Sequence, residues 1–189
     1  MGEPLKLGVI LLMITTLCVG LLGFVNESTL PIIQVGKQKN QEKAVQQLLP
    51  DTESIKAVKV TDQEHIDTVF MTYKSNQYTG SVIKVYPQGY GGSIELLVGI
   101  LPDGQVAGIQ VLSHQETPGL GANVDQEDFK KQFVGKNTPL SVNKNTPNNN
   151  EIMAITGATI TSKGIVEGVN EAAEYAKQHQ EEWKKGEVQ

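Results

Sequence analysis

Residues 154–172 read AITGATITSKGIVEGVNEA. Thr156, Thr159, Thr161 and Ser162 crowd around Gly157 and Ala158, directly before an apolar-periodic segment. A hydroxyl at a helix start accepts a hydrogen bond from an unpaired backbone N–H, and a single such cap suffices. The same N–H groups, with about half a positive charge from the helix dipole, also suit a phosphate. Two readings are therefore open, capping alone or a phosphate site. In the second, Gly157 lets the backbone approach a ligand closely. Lys163 adds to it, because a cation in the first turn opposes the dipole unless an anion lies nearby.

Two loops have compositions that suit a bound ligand. In SHQETPGLGANV, residues 113–124, Pro118 stiffens the chain while Gly119 and Gly121 permit positive φ and close backbone packing. In YPQGYGGS, residues 86–93, Tyr90 and Gly91 belong to a Gly-rich turn. Either loop is an ordinary turn unless something binds there. His114 is expected to support its loop rather than titrate in catalysis, and His65 and His179, set among charged residues, to be solvated. The only cysteine, Cys18, falls in the apolar N-terminal run, so the rest of the chain has no disulfide and no Cys-based metal or iron–sulfur site. No metal site is expected. The chain has 16 lysines, no arginine and a net charge of −5. The lysines are scattered, with no basic stripe for nucleic acid. Without arginine there is no bidentate fork for a free phosphate, so a phosphorylated cofactor needs another hold.

Residues 7–25 carry no charge, and as a helix they reach roughly 28 Å, close to the hydrocarbon core of a bilayer. The run is longer than a signal-peptide core, no A-x-A pattern follows it, and Leu17 precedes Cys18. A retained anchor spanning the lipid bilayer is expected, with Lys6 and the amino terminus inside and residues 26–189 outside. Residues 26–37 read as a juxtamembrane loop, and KNQEKAVQQLL as a short helix ended by Pro50. IKAVKV, TVFMTYK, SVIKVY, SIELLVGIL and QVAGIQVL read as strands, the last two joined at LPDGQ, where Asp-Gly supplies the positive φ of a hairpin. QEDFKKQF reads as a helical turn or two, NKNTPNNNE as a polar loop, and the segment from Ile165 to Ala176 as an amphipathic helix ending near Gln178. The fold class is α+β: one transmembrane helix over residues 1–25, a connector over 26–52, and a domain over 53–189 with a mostly antiparallel sheet and packed helices.

TGATITS resembles the flavin-attachment motif of the FMN-bearing subunits of Rnf and Nqr respiratory complexes, in which the phosphate of FMN esterifies the threonine after Gly-Ala. The matching residue is Thr159. ETPGLG closely resembles a loop of the same family that lies against the flavin, and a comparable Gly-rich turn approaches the cofactor. Met153 departs from the pattern, standing where the motif often carries Asp. The resemblance implies covalent FMN on Thr159, with Thr156, Gly157, Ala158, Thr161 and Ser162 around the phosphate. It places Glu116, Thr117, Gly119, Leu120 and Gly121 near the isoalloxazine, with Tyr90 and Gly91 at one face.

The function implied is that of the G subunits of Rnf-type ferredoxin:NAD⁺ oxidoreductases, which couple electron transfer to Na⁺ or H⁺ translocation. The chain would relay electrons through flavin, with other membrane and peripheral subunits as partners and a flavin transferase for maturation. It would sit as a single-pass protein of the cytoplasmic membrane with its FMN domain outside. The close alternative is the C subunit of a Na⁺-pumping NADH:quinone oxidoreductase, disfavoured because 189 residues is short for it. An alternative of another class is a surface-anchored, non-redox binding domain whose Thr-rich loop only caps a helix.

Overall fold

Partial alternation of β-branched with polar residues along positions 54–113 produces five strands, as the sequence predicts. In the computed structural model, which describes residues 2–61 and 63–185, they are β1 (Ser54–Lys59), β2 (Ile66–Lys74), β3 (Gln77–Val85), β4 (Glu95–Ile100) and β5 (Val106–Ser113). They form one antiparallel sheet in the order β1-β2-β3-β4-β5, each strand paired with its sequence neighbour. The β2–β3 hairpin turns at Ser75 and Asn76, with φ of 49° and 62°. Two successive positive values match the right-handed twist of the flanking strands. Gly104, at φ 88°, turns β4 into β5 at the predicted Asp-Gly, and the Asp103 carboxylate accepts the N–H of Gln105 at 3.0 Å.

The chain divides into two units, residues 1–42 and 43–189. The first consists of most of α1 (Glu3–Leu48), whose apolar part has a mean hydropathy of 2.5 and no buried residue. By length and composition this helix is able to cross a membrane. The predicted loop over 26–37 is helical instead. The polar run at 26–29 and Pro31 read as breakers, but the Ser28 hydroxyl donates to the Phe24 carbonyl at 2.8 Å, and Thr29 donates likewise to Val25. Satisfied within the turn, these hydroxyls do not unwind it. The short helix predicted before Pro50 is the end of α1.

In the second unit the sheet is covered on both faces. Ala44, Val45 and Leu49 pack with Phe70, Val82 and Leu97 on one side. The opposite face, through Met71, Ile83, Leu96 and Ile109, packs against α3 (Thr159–Lys185), which contributes Ile165, Val169, Ala172 and Ala176. The fully buried Val, Leu, Ile and Met side chains among these each contribute about 1.5–3 kcal/mol. A 3₁₀ turn at Gly121–Asp125, the short helix α2 (Glu127–Lys130) and a 3₁₀ turn at Lys131–Phe133 follow β5. β6 (Ser141–Asn143) and β7 (Glu151–Met153) form a parallel pair at the edges of the predicted polar loop. Asn170 of α3 holds the lead into β6, accepting the N–H of Leu140 at 2.7 Å and donating to its carbonyl at 2.9 Å.

α3 continues seven residues past its predicted end at Gln178. Trp183 is buried, lies 6.2 Å from the Tyr175 ring and 6.4 Å from Tyr78, and its carbonyl accepts the Tyr73 hydroxyl at 3.1 Å. His179, expected to be solvated, stacks on Tyr175 with centroids 4.2 Å apart. His65 pairs with Glu171 at 3.4 Å.

Candidate functional site

The start of α3 is set by a tight turn. The N–H of Ala158 donates to the Ile155 carbonyl at 2.9 Å, and Gly157, at the third position, has φ 77°. This is the geometry of a type II turn, which demands Gly or Asn there. The loop after β5 uses the same device. Leu120 N–H bonds the Thr117 carbonyl at 3.1 Å, Pro118 holds the second position, and Gly119 has φ 77° at the third. The two turns face each other, since a Cβ on Gly157 would lie 2.9 Å from Leu120 Cδ2.

Between them opens a cavity of about 550 Å³. Its walls come from the turn after β5 (Glu116, Thr117, Leu120, Gly121), the start of α3 (Gly157 to Thr161) and Tyr90 of the Gly-rich loop. Among the described residues beyond α1, the exposed large apolar side chains are Tyr90 (72 %), Leu120 (44 %), Val134 and Ile160 (57 %). All but Val134 line this cavity. A rim of exposed apolar groups around a polar floor is the make-up of a small-molecule site rather than of solvated surface.

Nine of the thirteen residues predicted from sequence line this space: Tyr90, Glu116, Thr117, Leu120, Gly121, Gly157, Ala158, Thr159 and Thr161. The other four, Thr156, Ser162, Gly91 and Gly119, lie around it. The Ser162 hydroxyl is committed to the turn, accepting from Ile155 N–H and donating to the Ala158 carbonyl, both at 3.0 Å. Thr156 is exposed. Thr161 is fully buried and donates to Glu116 Oε2 at 2.6 Å. Thr159, half-buried, lines the cavity with its hydroxyl in no hydrogen bond among the described residues. The hydroxyl cluster thus divides by task, and Thr159 alone is left uncommitted on the cavity wall. The first-turn N–H groups of Thr159, Ile160 and Thr161 have no carbonyl four residues back inside the helix to bond.

The sequence leads one to expect positive φ or close backbone packing at the two loop glycines. Only Gly119 has the positive φ. Gly121 is required by contact instead, because a Cβ there would meet Glu116 Oε2 at 2.2 Å and Thr161 Oγ1 at 2.9 Å. Gly91 brings its N–H to Glu116 Oε1 at 2.9 Å. His114 holds the loop, as expected. Its Nδ1 accepts the Glu116 N–H at 3.1 Å, which leaves Nε2 to donate to Asp125 at 3.0 Å.

Sequence reading missed Ile160, an apolar residue on the exposed side of an otherwise amphipathic helix, which was itself a signal. It also missed Gly164 and Gly168, one turn apart on α3. A Cβ on Gly164 would lie 2.2 Å from the Gln88 carbonyl oxygen, and one on Gly168 would lie 2.8 Å from the Pro87 ring. These glycines seat the Gly-rich loop on the helix and so fix Tyr90 over the cavity.

The chain's FMN-binding-domain match covers residues 89–174, the segment that builds the cavity. Over 106 residues it is 46% identical to the G subunit of the proton-translocating ferredoxin:NAD(+) oxidoreductase complex of Clostridium ljungdahlii, covering 56% of this chain and 57% of that one. With the G subunit of the Na(+)-translocating ferredoxin:NAD(+) oxidoreductase complex of Acetobacterium woodii it shares 35% identity over 182 residues, 87% of each chain. The solved structure of the C subunit of the Na(+)-translocating NADH-quinone reductase from Parabacteroides distasonis superposes with a TM-score of 0.52 at 21% identity, over 67% of this chain and 77% of that one. That likeness is one of fold.

Proposed function

Because the chain belongs to the family of the G subunits of Rnf-type ion-translocating ferredoxin:NAD⁺ oxidoreductases, we propose that it is the membrane-anchored electron-transfer subunit of such a complex, bearing FMN esterified to Thr159. The observation that carries this reading is the cavity itself, where exposed Tyr90, Leu120 and Ile160 ring a wall that ends at the α3 N-terminus. A flat apolar ring system fits between those side chains, and a phosphate fits the first-turn N–H groups. FMN, when bound, supplies a centre that takes up and releases electrons singly. The chain's own part is to hold and shield it. The first-turn N–H groups would hold the phosphate, Thr159 Oγ1 would provide the ester oxygen, and Leu120 and Tyr90 would cover the ring. An ester also removes the need for the missing arginine.

The likeness in fold to the C subunits keeps the quinone-reducing relative as a second reading, but the full-length identity favours the G subunits. The partners are the remaining membrane and peripheral subunits, and a flavin transferase acts in maturation. Detergent purification of the chain from its source tests the reading: a flavin absorption band that survives denaturation is expected. A colourless denatured chain contradicts it and favours the non-redox binding domain.

Residues 7–25 anchor the protein, with the N-terminus cytoplasmic and the flavin domain outside. Peptide mass spectrometry should find peptides from residues before 20 in the mature protein. Protease added to right-side-out cells should digest the domain and spare the anchor. A mature N-terminus beyond residue 20, or a protected domain, contradicts this topology.

The two loop glycines should respond unequally. Gly119→Val meets open space and costs only the left-handed backbone, about 1–2 kcal/mol. Gly121→Val drives a branched side chain into Glu116 and Thr161. Attachment at Thr159 should survive in both. The electron-transfer rate should fall at least tenfold in Gly121→Val and less in Gly119→Val, and wild-type rates in both make the loop a mere turn.

A further inference from the structure

We propose that Glu116 sets the reduction potential of the flavin, holding it low through a buried negative charge at the cavity wall. This rests on the FMN reading above. Glu116 is 6 % exposed, yet no Lys or His comes within ion-pair distance of it among the described residues. Burying an unpaired carboxylate is costly, and hydrogen bonds are its only compensation here. Both oxygens accept: Oε1 takes the Gly91 N–H at 2.9 Å and Oε2 the Thr161 hydroxyl at 2.6 Å. Two accepted bonds suit the ionised, acceptor-only form. The surroundings are shaped to it, since a Cβ at Gly89 or at Gly121 would each come within 2.2 Å of one of its oxygens. A simple clamp between three segments needs no charge, and a neutral amide would cost less to bury. The carboxylate's charge acts instead on the cavity it lines. Reduction adds electrons to the flavin, and a fixed negative charge across a poorly screening medium opposes that addition. The shift is therefore downward.

Two variants separate charge from clamping. Glu116→Gln keeps the shape and both contacts, with its oxygen accepting from Gly91 N–H and its amide donating to Thr161 Oγ1, but loses the charge. Glu116→Asp keeps the charge and loses the reach. Full-length protein loaded with FMN in detergent is titrated spectroelectrochemically, with denatured flavin content and thermal midpoint measured alongside. Glu116→Gln should shift the reduced-to-oxidised ratio at least tenfold toward reduced at a given poise, about 30 mV upward for a two-electron couple. Glu116→Asp should move it by less than a third of that, although its thermal midpoint falls further. An unchanged potential in Glu116→Gln, or a larger shift in Glu116→Asp, overturns the proposal. Should Glu116→Gln fail to fold, Glu116→Ala is titrated in its place: an upward shift of the same size supports the charge role and an unchanged potential overturns it. Wild-type protein without flavin overturns the FMN reading and this inference together, and shows before any potential is read.

Discussion

Thr159→Ala is expected to leave the denatured polypeptide with no flavin absorbance or fluorescence, a complete loss against the stoichiometric label of the wild type. The four hydroxyls of the motif differ in what they are already doing. Ser162 is bonded within the turn, Thr161 is bonded to Glu116, and Thr156 stands outside the cavity lining. Thr159 lines the cavity with its hydroxyl free of bonds among the described residues, at the position where first-turn N–H groups gather a phosphate. Because that hydroxyl supports nothing else, the fold should change by no more than about 0.5 kcal/mol, the usual range for a substitution that breaks no packing or bond. Thr161→Ala should keep the label, while losing a buried bond to a charged group, worth about 1.5–3 kcal/mol. A label that survives in Thr159→Ala, or vanishes only in Thr161→Ala, contradicts the division of labour.

Gly164→Ala should be the most destabilising single methyl group on α3. A helix-interior alanine normally gains about 1 kcal/mol over glycine. Here the new Cβ would lie 2.2 Å from the Gln88 carbonyl oxygen and 3.0 Å from its carbon, so backbone has to move. Overpacking of this kind costs about 3 kcal/mol, and for a domain of this size the thermal midpoint should drop by roughly 6–12 °C. Gly168→Ala meets only the Pro87 ring and should cost less. Equal midpoints for Gly164→Ala and wild type mean that the loop is not seated on the helix as described.

Much of this arrangement was legible in the residues. β-Branched content marked all five strands of the main sheet, Asp103-Gly104 marked its hairpin, and spacing from Ile165 to Ala176 gave the buried face of α3. The hydroxyl cluster marked the start of α3, while the type II turn at Gly157 that sets it was not legible. What stayed hidden depends on long-range contact. β6 and β7 are three residues each, too short for a pattern, and exist because they pair across the loop between them. The end of α3 is fixed by Trp183 lodging beside Tyr78 and Tyr175, which no local propensity encodes. α1 continues through 26–37 despite its polar residues and Pro31, with the Ser28 and Thr29 hydroxyls bonded inside the helix to Phe24 and Val25. The resemblance placed Glu116 near the isoalloxazine but gave no sign that its carboxylate is buried. Its burial follows from three segments meeting around it, and the glycines at 89, 91 and 121 were the only trace of that in the sequence.

The most direct test of the account is the mass of one peptide. Trypsin cleaves after Lys144 and Lys163, releasing residues 145–163 with the whole motif inside. In protein purified from its own membranes, or co-produced with a flavin transferase, this peptide should be heavier by FMN less one water, and fragmentation should place the addition on Thr159. An unmodified peptide, or an addition mapped to Thr156, Thr161 or Ser162, contradicts the claim that Thr159 carries the flavin.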